Sequence, residues 1–145
     1  RGAKHRKGGM VRLERREKDL YANGRKVELF LAKGQLDGIV GHQLCRMLAE
    51  KPVLNANILD YLYESENQHL IPKNWKGKCV YFLGDVYYCS SDDCSSDDCS
   101  SDDHLFVRYL YWDGDRRWRW GYCWLGCVFG GDNLAAVFAS QALGN

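Results

Sequence analysis

Residues 105–125 read LFVRYLYWDGDRRWRWGYCWL. Two runs rich in aromatic and β-branched residues flank Asp113-Gly114, a dipeptide suited to the tight turn of a β-hairpin. The reading is a strand over Leu105 to Trp112, a turn, and a strand over Arg116 to Leu125. Upstream, Cys79 to Tyr88 (CVYFLGDVYY) is a third run of the same kind. Together they predict a three-stranded antiparallel meander, which needs a covering layer on one face to be stable.

The cover comes from segments with helical spacing. Over His42 to Glu50, Leu44, Cys45 and Leu48 form an apolar stripe that Pro52 terminates. Asn55 is a cap for a second helix over Ala56 to Tyr63, with Ile58, Leu59 and Leu62 inward. The two helices are expected to form a helical hairpin. Asp132 or Asn133 is expected to cap a terminal helix over Leu134 to Ala142. Before all of these, Lys26 to Lys33 (KVELFLAK) reads as a strand introduced by an Asn23-Gly24 turn. Val11 to Lys18 shows little apolar pattern and reads as a frayed lead-in. The predicted class is therefore α+β: an N-terminal strand, a helical hairpin, a three-stranded antiparallel meander and a C-terminal helix.

With 145 residues, 46% of them hydrophobic and 13% aromatic, the chain suits one cored domain rather than two. That domain is assigned to residues 26–145, preceded by a basic, flexible segment over 1–25. Residues 1–9, RGAKHRKGG, read as a non-native addition or an upstream in-frame extension ahead of Met10, with a basic nucleic-acid-binding tail as the sharper alternative. Net charge is +1, so the molecule as a whole steers no charged partner. The distribution is uneven, with ten of the 20 Lys and Arg residues between Arg1 and Lys26. No apolar run reaches the roughly 20 residues needed to span a bilayer, and no apolar segment follows the basic start as in a secretory signal. The expectation is a cytoplasmic protein with no membrane partner.

Cys89 to Asp103 is CSSDD three times in tandem. With two copies removed, five turn-forming residues join two strands, so residues 89–103 read as a lengthened hairpin loop. Added loop length costs only about 0.6 kcal/mol per doubling, so the repeat needs no function to be tolerated. The functional alternative is a zinc or other divalent metal site on Cys89, Cys94, Cys99, Asp93, Asp98 and Asp103. Cysteines five apart match no zinc signature, and the acidic residues lack the glycine and terminal glutamate of a calcium loop. Cys45 and Cys79 read as small core residues, and no histidine follows Cys123 and Cys127 to complete a zinc ribbon. An odd cysteine count argues against a secreted disulfide framework.

The strongest candidate for binding is the last strand of the meander. Trp118, Trp120, Tyr122 and Trp124 share one parity and so project from one face, while Arg117 and Arg119 project from the other. Arg108 lies on the neighbouring strand. Aromatic rows beside arginine suit stacking on bases, sugars or peptides, at about 1–3 kcal/mol per stacked base. The plainer reading is that a thin sheet uses large side chains to fill its core. The candidate ligand-binding residues are Trp118, Trp120, Trp124, Tyr122, Arg119 and Arg108. Catalytic patterns are thin. His42 and Cys45 share a helix face, His104 adjoins the loop repeat, and GGDN at Gly130 offers a weak anion site at a helix start. None of the GxxxxGK, GxSxG or HExxH patterns is present.

The run VLNANILDYL, then HLIPKNWKGK, VYFLGDVYY, LFVRYLYWDG, RWRWGYCWLG and NLAAVFAS, resembles a set of small, uncharacterised hypothetical proteins of uncultured bacterial lineages. The resemblance covers roughly Lys26 to Ser140. It implies that the tripled loop departs from a shorter norm, and it carries no activity, cofactor or site. The sequence thus points to a non-enzymatic binding or interaction domain using the aromatic sheet face. Metal binding through the CSSDD loop and a nucleic-acid-binding accessory role are the alternatives. The partner is protein or nucleic acid, and a homo-oligomer seam on the same face is a further option.

Overall fold

The computed structural model describes residues 12–88, 105–114 and 117–139. In chain order the strands and helices are β1 (Leu13–Arg16), β2 (Asp19–Ala22), β3 (Arg25–Phe30), β4 (Ile39–Val40), α1 (Gly41–Met47), α2 (Ala56–Tyr63), β5 (Cys79–Tyr88), β6 (Leu105–Asp113), β7 (Arg117–Trp124), β8 (Val128–Phe129) and β9 (Asn133–Phe138). Short 3-10 turns cover Gln35–Asp37, Ser65–Leu70 and Lys73–Trp75. The class is mixed α+β, mostly sheet. Seven strands lie in the order β1-β2-β3-β9-β5-β6-β7, and β4 pairs β8 in a small second sheet.

The meander β5-β6-β7 is where the alternating aromatic runs put it, with antiparallel pairing throughout. The C-terminal segment overturns the helix expected over Leu134 to Ala142. Asn133–Phe138 is instead the central strand β9, antiparallel to β3 and parallel to β5. Its run LAAVF is continuously apolar because both faces are covered. Ala136 belongs to one core cluster, and Ala135 and Val137 to the other. A short apolar run of this kind has no period that separates strand from helix, and its alanines favour helix only when packing does not decide. The GGDN segment therefore opens a strand, and the helix start expected there does not exist.

The lead-in over Val11 to Lys18, and with it part of the basic segment expected to be flexible, is also corrected. Leu13–Arg16 and Asp19–Ala22 form two strands of the sheet. Leu13, Leu20 and Ala22 enter the core while Glu14 and Arg16 face outward. Four-residue strands leave too short an alternation to stand out among so many charges. Asn23 and Gly24 both take positive φ, 51° and 84°, which gives the β2–β3 hairpin its tight turn.

The two helices do not form the expected hairpin. Leu44 and Leu48 of α1 and its flank pack with Tyr81, Leu83, Val107 and Phe129. Ile58, Leu59 and Leu62 of α2 pack with Val80, Phe82, Leu110 and Trp118. Val80 and Phe82 alternate with Tyr81 and Leu83 along β5, so the helices lie on opposite faces of the sheet. The chain passes from one face to the other through the sheet itself. Val53 bridges Val137. The Leu54 N–H donates to the Ala136 carbonyl, and its carbonyl accepts from Gly84 N–H, both at 2.9 Å. The segment is thus wedged between the end of β9 and an irregularity in β5, where register shifts between Phe82 and Tyr87. Asp85 Oδ2, just past the wedge, accepts from Ala56 N–H at 2.8 Å, and Asn55 Oδ1 accepts from Asn57 N–H at 3.0 Å, so α2 begins doubly capped.

Gln35 is the one fully buried polar side chain among the described residues. Its carbonyl oxygen accepts from Ala32 N–H, and its amide donates to the carbonyls of Gly130 and Asn133. It therefore ties the exit of β3 to the entry of β9.

The wedge can be tested at Gly84. A Cβ there would lie 2.9 Å from both the Leu54 carbonyl oxygen and the Asn55 Cα. Gly84→Ala is expected to lower stability by about 1–3 kcal/mol, read from the urea unfolding midpoint. An unchanged midpoint would mean that the segment is not held against β5.

Candidate functional site

β6 and β7 bring Phe106, Trp112, Trp118, Trp120, Tyr122 and Trp124 onto the face that carries α2. Trp118 lies opposite Trp112, Trp120 opposite Leu110, Tyr122 opposite Arg108 and Trp124 opposite Phe106. Burial divides the β7 row. Trp118 is 5% and Trp124 7% exposed, whereas Trp120 is 42% and Tyr122 51% exposed. Trp118 meets Trp112 edge-on with centroids 5.2 Å apart inside the α2 cluster. Trp124 meets Phe106 edge-on at 5.5 Å, and Phe106 stacks on Tyr87 at 5.2 Å. Of the four aromatics predicted as a contact row, two are structural and the middle pair is open.

Arg108 is held beneath that open pair. Its Nη2 donates to Asp60 Oδ1 at 2.8 Å, and its Nη1 reaches the Tyr87 hydroxyl at 3.5 Å. Its guanidinium lies 4.0 Å from the centroid of the Trp120 ring. The side chain is mostly buried, and its Nε is buried without a hydrogen-bond partner. The Asp60 and Tyr87 hydrogen bonds outweigh desolvation and hold the guanidinium above its ordinary value, so Arg108 stays charged. A cation sandwiched between a carboxylate and an indole holds the Trp120 ring, which stays partly open to solvent. Asp60, on α2, and Tyr87, on β5, were not among the predicted site residues. They lie 48 and 21 residues from Arg108, and nothing in local spacing connects them.

Arg119 is on the opposite face and pairs with Asp113. It is therefore separated from the Trp120–Tyr122 strip by the sheet. That opposite face holds a tyrosine–thiol group. The Tyr81 and Tyr109 rings lie 4.8 Å apart, and Tyr81 also meets Phe129 at 4.7 Å. Burial raises the thiols of Cys79 and Cys123, and among the described residues no cation offsets that rise. Burial also raises the Tyr81 phenol far above its usual range. Cys45 on α1 is likewise raised by burial, which makes it a poor nucleophile for a pair with His42. Cys45, Cys79 and Cys123 are free thiols.

Among the described residues no group of three His, Cys, Asp or Glu side chains is placed to hold a metal. Cys89, Cys94, Cys99, Asp93, Asp98 and Asp103, and with them the CSSDD loop and His104, lie outside the described residues. No helix among the described residues is long and apolar enough to cross a membrane.

Two measurements check this geometry. A double-mutant cycle with Asp60→Asn and Arg108→Gln is expected to return a coupling of about 1–3 kcal/mol, and a value near zero would mean that the pair is only a surface contact. The raised thiols and phenol also make stability fall with pH. In the unfolded chain the thiols titrate near 9.0 and the phenol near 10.0, while the fold keeps these groups protonated. The folded state therefore binds more protons above pH 9, and stability should decline from there upward. Denaturation at pH 7.5 and pH 10 reads the difference, and equal midpoints would contradict it.

No protein-family model, curated protein or solved structure matches the chain.

Proposed function

We propose that the protein is a binding domain whose contact surface is the strip made by Trp120 and Tyr122 on β7. One observation carries this reading. Two large aromatic side chains are left open in the middle of a row whose ends are buried, and Arg108 and Asp60 brace one of them from below. Rigid aromatic groups lose little freedom on binding and dominate contact energetics when a partner covers them.

A protein partner suits the strip better than nucleic acid. Among the described residues, Arg108 is already committed to Asp60, Arg119 is on the far face with Asp113, and Lys76 lies over Trp112 rather than over the open rings, so each of these cations near the strip is already engaged. The basic residues of β1–β3 sit at the other end of the seven-stranded order from β7. Phosphate attraction and base stacking would thus act on separate edges of the molecule.

Selection of peptides from a random library, alongside titration with twelve-residue oligo(dT) and oligo(U), decides between the partners. Selected peptides should lose at least about tenfold in affinity with Trp120→Ala and with Tyr122→Ala, each variant still folding cooperatively. Trp118→Ala, by contrast, should cost about 3–5 kcal/mol of stability, as expected for a core aromatic. Oligonucleotide binding that depends on Trp120 would replace the protein reading with a nucleic-acid one. Loss of a self-associated species with either variant, by sedimentation, would make the strip a homodimer seam. A chain that binds none of these would end the proposal.

A further inference from the structure

A concave region lies away from the aromatic strip. It is an open cleft of about 420 Å³, lined by residues of β2 and β3, by Leu134 of β9, and by the segment Pro72 to Lys78. Its walls are fixed independently. Arg15 of β1 donates through Nη1 to the carbonyls of His69 and Ile71, at 3.3 and 3.4 Å, which draws the β1–β2 hairpin over toward the 3-10 turns. On the other side, buried Trp75 anchors the 72–78 segment in the α2 cluster. Leu29 and Leu134 are only half-buried and give the cleft apolar surface of its own.

The charged lining has an excess of one lysine over its carboxylates. Lys18, Lys26 and Lys78 line the cleft with Asp19 and Glu28. Lys26 sits 3.8 Å from Asp19, so that pair is largely neutralised. Lys78 Nζ donates to the Asn74 carbonyl at 2.7 Å, which positions its ammonium at the rim. Among the described residues, neither Lys18 nor Lys78 has a carboxylate partner. Lys18 and Lys78 outnumber the one remaining carboxylate of the lining, Glu28, and with the apolar surface of Leu29 and Leu134 they match a ligand with an apolar body and one anionic end. The volume falls in the range of small-molecule sites, about 300–1,000 Å³.

We infer that this cleft binds a small amphiphilic anion, its carboxylate or phosphate held by Lys18 and Lys78 and its apolar body lying against Leu29, Leu134 and Pro72. The cleft shares no residue with the aromatic strip, so the inference stands or falls separately from the proposed binding surface.

The probes are octanoate, octyl phosphate and octanol, titrated into the ¹⁵N-labelled protein and followed by amide shifts. The two anions should saturate with shifts at Lys18–Leu20, Lys26–Leu29 and Asn74–Lys78, while octanol should bind at least about tenfold more weakly. Lys18→Glu, in an exposed turn, and Lys78→Glu should each weaken both anions about tenfold and leave octanol unchanged. Preference for octyl phosphate over octanoate would identify a phosphate end, and the reverse a carboxylate end, either supporting the inference. Equal binding of octanol, insensitivity to Lys18→Glu, shifts confined to Trp120 and Tyr122, or failure to saturate would each overturn it. Lys18→Glu decides the outcome even if Lys78→Glu does not fold.

Discussion

Two hydrogen bonds at Leu54 organise this molecule. By donating to Ala136 and accepting from Gly84, Leu54 occupies the gap where β9 and β5 separate, and the chain crosses from one side of the sheet to the other there. A backbone buried at that depth must have both polar groups satisfied, and the two neighbouring strands supply the partners. The crossing puts α1 with β4 and β8 on one face and α2 on the other. A sheet that would otherwise need one cover acquires two, and its central strands become apolar on both sides.

The open strip follows from the length of α2. Eight helical residues extend about 12 Å, whereas the eight residues of β7 extend about 26 Å. The helix covers Trp118 and leaves the rest of the row to other neighbours. Trp124 finds Phe106, itself stacked on Tyr87, and is buried without the helix. Trp120 and Tyr122 fall between the two covered regions. Asp60, reaching from the edge of α2 to Arg108, marks where the helix layer ends.

The meander, the Asn23-Gly24 turn, the Asn55 cap and the short second helix were legible because each is a local signal of period, turn chemistry or capping. What the sequence hid was of another kind. β9 reads as a helix because its alanines and apolar run have no strand period, and only insertion between β3 and β5 makes it a strand. The helix pair reads as a hairpin because five residues separate two good stripes, and nothing local says that those residues pass through a sheet. At the site, the face shared by the β7 aromatics was legible from parity. Which of them stay open was not, because that depends on where α2 stops and on the distant Asp60 and Tyr87. The lysine cleft had no sequence signal, since Lys18, Lys26 and Lys78 come from three separate segments.

β9 joins the two halves of the main sheet, since β3 and β5 each pair with it and not with one another. It is also the last described strand to be synthesised. A nascent chain with residues 12–132 extruded already holds the β1–β3 unit and the meander, yet has no strand to unite them, and the Leu54 N–H lacks its Ala136 partner. Both β3 and β5 then expose an open edge, with the apolar faces of the sheet only partly covered. The pairing of β9 with two strands that precede it by many residues thus makes folding strongly non-local and gives the growing polypeptide a period of exposure that closes only when β9 slots into the middle.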